Sequence, residues 1–254
     1  MGAVIASVDV AWPGSIAHPA PEEFARLVVG RGISAVERRG KWIHVILSGG
    51  QSLLVHLRMT GRLLLTDGDC EDRLHTRLSL LLSDGRRMCF QDVRKFGRCW
   101  LTDNADEVLG DLGPEPLDGL LTSSEFATML SKRRGRIKPL LLNQRFLAGL
   151  GNIYADEVLF RARVAPDRPA GSLDRAEVTR LRAAIRPVLE AGLRAGGTSL
   201  DDLAYLLPDG RAGDYLRRLR VYGREDRPCR RCGTPIRRAV LRQRSTFWCP
   251  ECQR

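Results

Sequence analysis

No run of apolar residues in this chain approaches the roughly 18 needed to cross a bilayer as a helix. The opening MGAVIASVDV has neither the basic start nor the long apolar stretch of a signal peptide. The first absence excludes a membrane-spanning helix and the second argues against secretion. There is no internal repeat and no low-complexity tract. Lysine is absent from the last 39 residues, and acids there are scarce. Leu216 to Arg254 holds twelve Arg against Glu225, Asp226 and Glu251, so +9 of the net +11 is concentrated in that segment. What remains is a chain of 254 residues, 43% hydrophobic and 28% charged, long enough to bury one large or two modest cores. Its basic balance points to a polyanionic partner, although a basic segment with nothing else in it would read as a solvated tail.

The basic segment does carry something else. Cys229-Arg-Arg-Cys232 and Cys249-Pro-Glu-Cys252 are separated by sixteen residues, within the CxxC-x15–20-CxxC spacing of a zinc site. Two intervening residues let both sulfurs of a tight turn face one ion, and four thiolates close a tetrahedral shell. Two disulfides are the alternative, and they require an oxidising compartment. Cys229, Cys232, Cys249 and Cys252 are therefore expected to hold one structural zinc that folds the segment and does no chemistry. Cys70, Cys89 and Cys99 show no ligand spacing and are expected to be core or surface thiols.

The first hundred residues alternate at period two, as half-buried strands do. Val4, Ala6, Val8 and Val10 are expected to share one face, and Leu78, Leu80 and Leu82 another. Asp84-Gly85 ahead of Met88 and Phe90 reads as a hairpin. LGDLGPEPLDG, from Leu109 to Gly119, is a domain boundary by its Gly, Pro and Asp content. Beyond it the period becomes helical. Capping boxes at Thr122 to Glu125 and Asp174 to Glu177 predict two helices, the second stopping at Gly196-Gly197. Between them, an apolar helix near Pro139 to Phe146 meets a turn at Gly149 and Gly151, and another helix opens at Asn152.

Several short constellations could carry chemistry. Glycines in Ala148-Gly-Leu-Gly151-Asn152 free backbone N–H groups at a helix N-terminus, where the dipole favours an anion such as a DNA phosphate. A plain helix-packing joint fits the same residues. Lys41, in Arg38-Arg39-Gly40-Lys41-Trp42, begins a strand and otherwise reads as a surface cation. Met59, in His56-Leu-Arg-Met-Thr-Gly61, and Phe96, in Asp92-Val-Arg-Lys-Phe-Gly97, would ordinarily be core residues. Each lies beside Arg and near Gly, which suits an exposed loop tip. Apolar tips flanked by Arg fit a wedge inserted into a base stack, which holds DNA kinked around an extruded nucleotide.

Together and in this order, RRGKW, VHLRMTGRL, QDVRKFG, LGPEPL, IKPLLLNQ, GLGNIYADEVLF, GGTSL, VYGRE and PCRRCGTPI…QRSTFWCPECQ resemble the formamidopyrimidine-DNA glycosylase family along essentially the whole chain. That resemblance implies an α+β protein: a β-sandwich over 1–113, a helix-two-turn-helix bundle over 114–218 and a zinc-finger hairpin over 219–254. It implies excision of oxidised purines such as 8-oxoguanine and formamidopyrimidines from double-stranded DNA, followed by β,δ-elimination at the abasic site. The expected setting is the bacterial cytoplasm or nucleoid, with the protein a monomer and no membrane involved. By resemblance, Met59, Arg94 and Phe96 fill the gap left by the flipped base and address the orphaned cytosine. His56, His75, Arg94, Arg133, Gly151 and Asn152 match DNA-binding positions. Lys41 matches a DNA contact that also donates a proton in β-elimination, and Arg244 a phosphate-gripping arginine assigned to δ-elimination. The segment after Gly196-Gly197 would cover the extruded base.

The sequence also departs from the family. The family nucleophile is the amine of an N-terminal proline, followed by a catalytic glutamate at the head of a helix. Neither is present here, where Met1-Gly2 aligns with a Val-Gly that follows that helix. One expectation is a valine-type start codon with the protein beginning upstream in Pro-Glu. The other is a truncated paralogue that binds kinked or damaged DNA without cutting it. A zinc-ribbon DNA-binding regulator is a third class, which leaves the β half unexplained. Smaller departures are Arg58 for the usual Gly, Lys95 for the second Arg of DxRRFG, Asn143 for an Asp, and a longer lesion loop around Tyr205 to Gly213.

Overall fold

The computed structural model describes residues 2–119, 121–198 and 213–254, and the lesion-loop expectation at 205–212 lies outside them. The described residues fall into two compact units, 2–111 and 112–198 with 213–254.

In the first unit the elements run β1 (Ile5–Asp9), β2 (Ile16–His18), α1 (Pro21–Val28), β3 (Ile33–Arg39), β4 (Trp42–Leu47), β5 (Ser52–His56), β6 (Gly61–Thr66), β7 (Thr76–Leu82), β8 (Arg87–Asp92), β9 (Arg98–Thr102) and the short α2 (Asp106–Leu109). One sheet has the order β1-β7-β8-β6, the other β2-β9-β5-β4-β3. Their facing side chains form one core. Leu78, Leu80, Leu82 and Phe90 of one sheet share it with Val45, Leu53, Val55 and Leu101 of the other, and Phe24 and Val28 of α1 close its edge. The unit is built of strands, as alternation predicted, and they form the β-sandwich that the family resemblance implied, with the Asp84-Gly85 hairpin joining β7 to β8.

Three expectations are corrected. Ile5 is the fully buried residue of β1, while Val4 and Ala6 are exposed and Val8 is half-buried. A bulge between Ile5 and Ser7, where the register against β7 shifts, reverses the alternation part-way along. Cys70 and Cys89 are not free thiols. The loop after β6 folds back on β8 until their Cα atoms are 5.9 Å apart, a span a disulfide bridges, and the two are bonded. Only Cys99 of those three is a core thiol, and burial pushes its pKa up to about 12. The helix placed at 139–146 is instead α4 (Ile137–Leu141), earlier and shorter, with the chain turning from Leu142 onward.

In the second unit α4 is preceded by α3 (Ser123–Ser131) and followed by α5 (Asn152–Ala162) and α6 (Arg175–Arg194). Both predicted capping boxes are formed, at Thr122/Glu125 and Asp174/Glu177. Gly196 and Gly197, at φ 67° and 85°, stop α6 as expected. Helix α5 is enclosed almost all round, its Ala155, Val158, Leu159 and Ala162 packing with Leu130, Ile137, Leu181 and Ile185. Phe160 at its far end belongs to a satellite core with Val221, Ile236 and Phe247. That core carries β10 (Arg237–Leu241) and β11 (Arg244–Trp248), a hairpin in which Leu241 faces Arg244. No helix among the described residues is long and apolar enough to cross a membrane.

Candidate nucleic-acid interface and metal centre

Every candidate of the first unit lies at one end of the sandwich. Trp42, His56 and Arg98 form one rung of the five-stranded sheet. Lys41 is exposed in the two-residue turn just beyond that rung. The β5–β6 loop carries Met59 and the β8–β9 loop carries Arg94 and Phe96. His75 precedes β7, where its carbonyl accepts from Asp92 N–H at 2.9 Å. Met59 is 58% and Phe96 48% exposed, so they are loop-tip residues and not core. Arg94 connects them: its Nη1 is 3.6 Å from Met59 Sδ, and its guanidinium lies 5.1 Å from the Phe96 ring centroid.

Asp92 holds both loops. Its buried carboxylate accepts from Thr60 Oγ1 in one loop, and from Arg94 N–H at 3.2 Å and Gly97 N–H at 2.7 Å in the other. A side chain at Gly97 would put a Cβ 2.5 Å from Phe90 Cζ, so only glycine lets the loop approach this closely. Arg58 and Lys95, two of the departures from the family pattern, both sit at φ 57°. The Arg58 conformation is braced by its N–H bond to His56 Nδ1 at 3.0 Å, and Lys95 lies 5.5 Å from the Trp12 ring with Arg98 at 5.2 Å.

Burial, together with the nearby Arg58 and Lys41, lowers the His56 pKa to about 4. Its ring is therefore neutral at pH 7. Because Nδ1 accepts a hydrogen bond, Nε2 carries the proton and can donate. His75 Nδ1 is 2.8 Å from Asp72 Oδ2, which fixes that ring with Nε2 free of this contact.

In the second unit Gly151 caps α5 and Asn152 is its first residue. The Gln144 side chain braces the preceding turn, donating to Leu142 and Leu150 carbonyls at 3.0 Å and accepting from Gly149 N–H at 3.0 Å. Asn152 Nδ2 donates to Ser245 O at 3.1 Å, which brings it beside Arg244 at the start of β11. Arg133, after α3, contacts Phe146, with its guanidinium 6.0 Å from the ring centroid, and not Asn152.

The strand bearing Arg244 is locked from below by groups that periodicity did not single out. Lys138 and Asp156, both buried, form an ion pair at 2.8 Å. Lys138 Nζ also donates to Ser245 O at 2.8 Å and Thr246 Oγ1 at 2.9 Å, and Asp156 Oδ2 accepts from Phe247 N–H at 2.9 Å. Burial pushes the Asp156 pKa up to about 7 against the pull of Lys138. Next to it, buried Glu157 accepts from the N–H groups of Arg220, Val221 and Tyr222 at 2.9–3.0 Å, fixing the strap that leads into the cysteine segment. The available signal was a cation in apolar IKPLLL and two acids in apolar IYADEVLF.

The four sulfurs of Cys229, Cys232, Cys249 and Cys252 all lie within 4.8 Å of one another. Three of the separations are 3.4, 3.5 and 4.0 Å. A tetrahedron with Zn–S bonds of about 2.3 Å has S···S edges of about 3.8 Å, so the set fits one zinc ion with no open position. Backbone N–H groups of Arg231 and Cys252 point at Cys229 Sγ and Cys249 Sγ, each at 3.4 Å, as donors to thiolates do.

Three family models match the chain in order. They are the formamidopyrimidine-DNA glycosylase N-terminal domain over 1–99, the formamidopyrimidine-DNA glycosylase H2TH domain over 112–203, and the zinc finger found in FPG and IleRS over 227–254. This chain belongs to the formamidopyrimidine-DNA glycosylase family. It is 49% identical over 238 residues to the formamidopyrimidine-DNA glycosylase of Moorella thermoacetica, covering 92% of this chain and 86% of the relative. Against that of Pelotomaculum thermopropionicum the identity is 44%, over 100% of this chain and 92% of the relative. Among solved structures, MutM (Fpg) of Thermus thermophilus superimposes with a TM-score of 0.88 at 41% identity, covering 100% and 92% of the two chains. Lactococcus lactis Fpg, solved in complex with abasic-site DNA, gives 0.90 at 32%, covering 100% and 93%. In this member of the family the zinc-finger residues are those the cysteine spacing predicted. Asp92, Trp12, Lys138, Asp156 and Glu157 add a supporting layer to which the sequence assigned no role.

Proposed function

We propose that this protein acts in base-excision repair of oxidised purines in double-stranded DNA, with 8-oxoguanine and formamidopyrimidines as substrates, by glycosylase and β,δ-elimination lyase chemistry. The observation that carries the reading is the grouping of Met59, Arg94 and Phe96 at one exposed tip on a shared Asp92 anchor. Two apolar side chains joined by a guanidinium suit one task. They enter a duplex where a base has left, the apolar groups stack in the gap, and the guanidinium bonds to the unpaired partner base.

The remaining residues bind and orient. Asn152, the N-terminus of α5 that follows Gly151, and Arg244 form one phosphate grip, since a helix N-terminus and a guanidinium both favour an oxyanion. Arg133 adds a separate cationic contact. His56 donates through Nε2 to the DNA backbone, His75 is held towards it by Asp72, and Lys41, at the same sandwich end as the wedge, supplies the proton for β-elimination. Arg244 beside the lesion phosphate serves δ-elimination. The family's proline amine and glutamate are not among these 254 residues, so no step is assigned to them here. The parts divide as sandwich 1–113, helical bundle 114–218 and zinc finger 219–254, working as a monomer in the bacterial cytoplasm.

The test is borohydride trapping by the protein purified from its own cells, on a duplex with one 8-oxoguanine. A covalent adduct with base release and β,δ-cleaved ends is expected. Neither adduct nor base release would overturn the enzymatic reading.

A further inference from the structure

A cavity opens at the C-terminal end of α5. It measures about 470 Å³ and is lined by five guanidiniums, those of Arg161, Arg218, Arg220, Arg230 and Arg231. The only acid on its wall, among the described residues, is Glu157, whose carboxylate is occupied by three backbone N–H groups. Carboxylates nearby are taken by other partners, Asp214 by Arg217 at 3.1 Å and Glu225 by Arg238 at 3.7 Å. Among the described residues none of the five guanidiniums makes a salt bridge to a carboxylate, and Arg220 meets Glu157 through its backbone N–H and the attraction of their charges. Five like charges around one concavity repel each other and focus a positive potential that an anion relieves.

The cations are also held in place. Arg231 lies 4.5 Å from the Phe160 ring centroid, and Arg230 Nη1 donates to Arg217 O at 3.1 Å. Both belong to the Cys229–Cys232 turn, so the metal site fixes their backbone. Tyr215 adds a phenol that burial keeps protonated, its pKa raised to about 12, and therefore a donor. Phe160 and Tyr215 are only 4% and 5% exposed, leaving no aromatic face on which a base could stack. Recognition here is by charge and guanidinium geometry, which match phosphoryl oxygens.

The cavity is distinct from the phosphate grip of the proposed interface. Arg161 is nine residues beyond Asn152, about 13 Å further along α5 and about half a turn round it. We infer that this cavity binds a compact polyphosphate, an anion of two or three linked phosphoryl groups held by Arg161, Arg218, Arg220, Arg230 and Arg231. Several charges within one cavity length engage several forks at once, which a single phosphate cannot do. The same chemistry occurs in free inorganic polyphosphate and in the tail of a nucleoside triphosphate. This inference does not depend on the repair reading.

Calorimetric titration of the zinc-loaded full chain near physiological salt tests it, with inorganic triphosphate, ATP and inorganic monophosphate as probes. Triphosphate and ATP should bind at least tenfold more tightly than monophosphate; tighter ATP would name the nucleotide as the source, and tighter triphosphate the inorganic chain. Arg161→Gln/Arg218→Gln should weaken triphosphate at least tenfold with zinc content and melting temperature unchanged, whereas Arg244→Gln should bind it like the wild type. If the double variant is misfolded, Arg161→Gln alone should weaken binding about threefold. Equal binding by the cavity variants and wild type, or equal loss in Arg244→Gln, would overturn the inference. So would competition by an undamaged duplex together with a lower salt slope in the cavity variants, because the cavity would then be part of the DNA surface.

Discussion

Replacing Lys138 by Met keeps the aliphatic stem and removes the ammonium, which isolates the buried pair beneath β11. The change deletes the 2.8 Å contact to Asp156 and the bonds to Ser245 O and Thr246 Oγ1. Breaking one side of a buried ion pair costs about 3–5 kcal/mol, much of it from the stranded partner charge. Asp156, already raised to about 7 by burial, can escape part of that by taking a proton, which places the expected cost at the lower end, about 3 kcal/mol at pH 7. For a unit of this size that lowers the melting temperature by roughly 10 °C. The pH dependence has a definite sign. The folded pKa of Asp156 lies above its unfolded value of 3.8, so the unfolded chain loses the proton first and stability falls as pH rises towards and through the folded value. In Lys138→Met, whose folded pKa is higher still, the deficit against wild type should be larger at pH 8 than at pH 5. Lys138→Met/Asp156→Asn leaves no charge to strand and should regain at least half of the loss. Urea unfolding of the three proteins at both pH values decides it. A single-variant cost below about 1 kcal/mol, or a double variant no more stable than the single, would refute the assignment of this pair as the lock on β11.

Cys232→Ser should release zinc, unfold the segment from 219 onward and abolish DNA binding; a folded, binding-competent variant would refute the structural-zinc assignment. Arg244→Ala should weaken damaged-duplex binding and lower the salt slope by about one phosphate contact, measured as log K against log salt; an unchanged slope would remove Arg244 from the interface. His56, lowered from 6.5 to about 4, binds fewer protons folded than unfolded, so its contribution is full above pH 6.5 and lost as pH falls towards 4. With partial exposure discounting the shift, His56→Gln should remove about 1–2 kcal/mol of the acid sensitivity in that window, read as the difference between the two proteins' unfolding curves at pH 7 and pH 4.5.

Local signals in this sequence translated directly into structure. The capping boxes at Thr122 and Asp174 form because each satisfies its own helix end with residues three apart, and Gly196-Gly197 ends α6 through backbone freedom that no distant contact has to supply. The metal centre was legible for the same reason, since each CxxC turn presents its own pair of sulfurs. Non-local features were not. The bulge that puts Ile5 inward depends on how β1 meets β7, and the Cys70–Cys89 bond depends on the path of a loop that the nineteen-residue separation does not reveal. Helix α4 ends at Leu141 although apolar residues continue, because the chain beyond it turns to build the Gln144-braced approach to α5. Helix α1 was overlooked because PEEFARLV lies within a stretch that otherwise alternates, although Pro at its start and the acids behind it are helix-opening signals. Within the candidate site, Met59 and Phe96 were visible as apolar residues beside Arg and Gly. Asp92, which orders both loops, drew no notice because an acid in a loop motif says nothing of what it bonds.

The most direct test is equilibrium binding of this chain to two duplexes of identical sequence, one of which carries a single tetrahydrofuran abasic analogue opposite cytosine. At least tenfold tighter binding to the abasic duplex is expected, with the difference largely erased in Met59→Ala/Phe96→Ala. Equal affinity for the two duplexes in the wild type would contradict the claim that this tip reads the gap left by a flipped base.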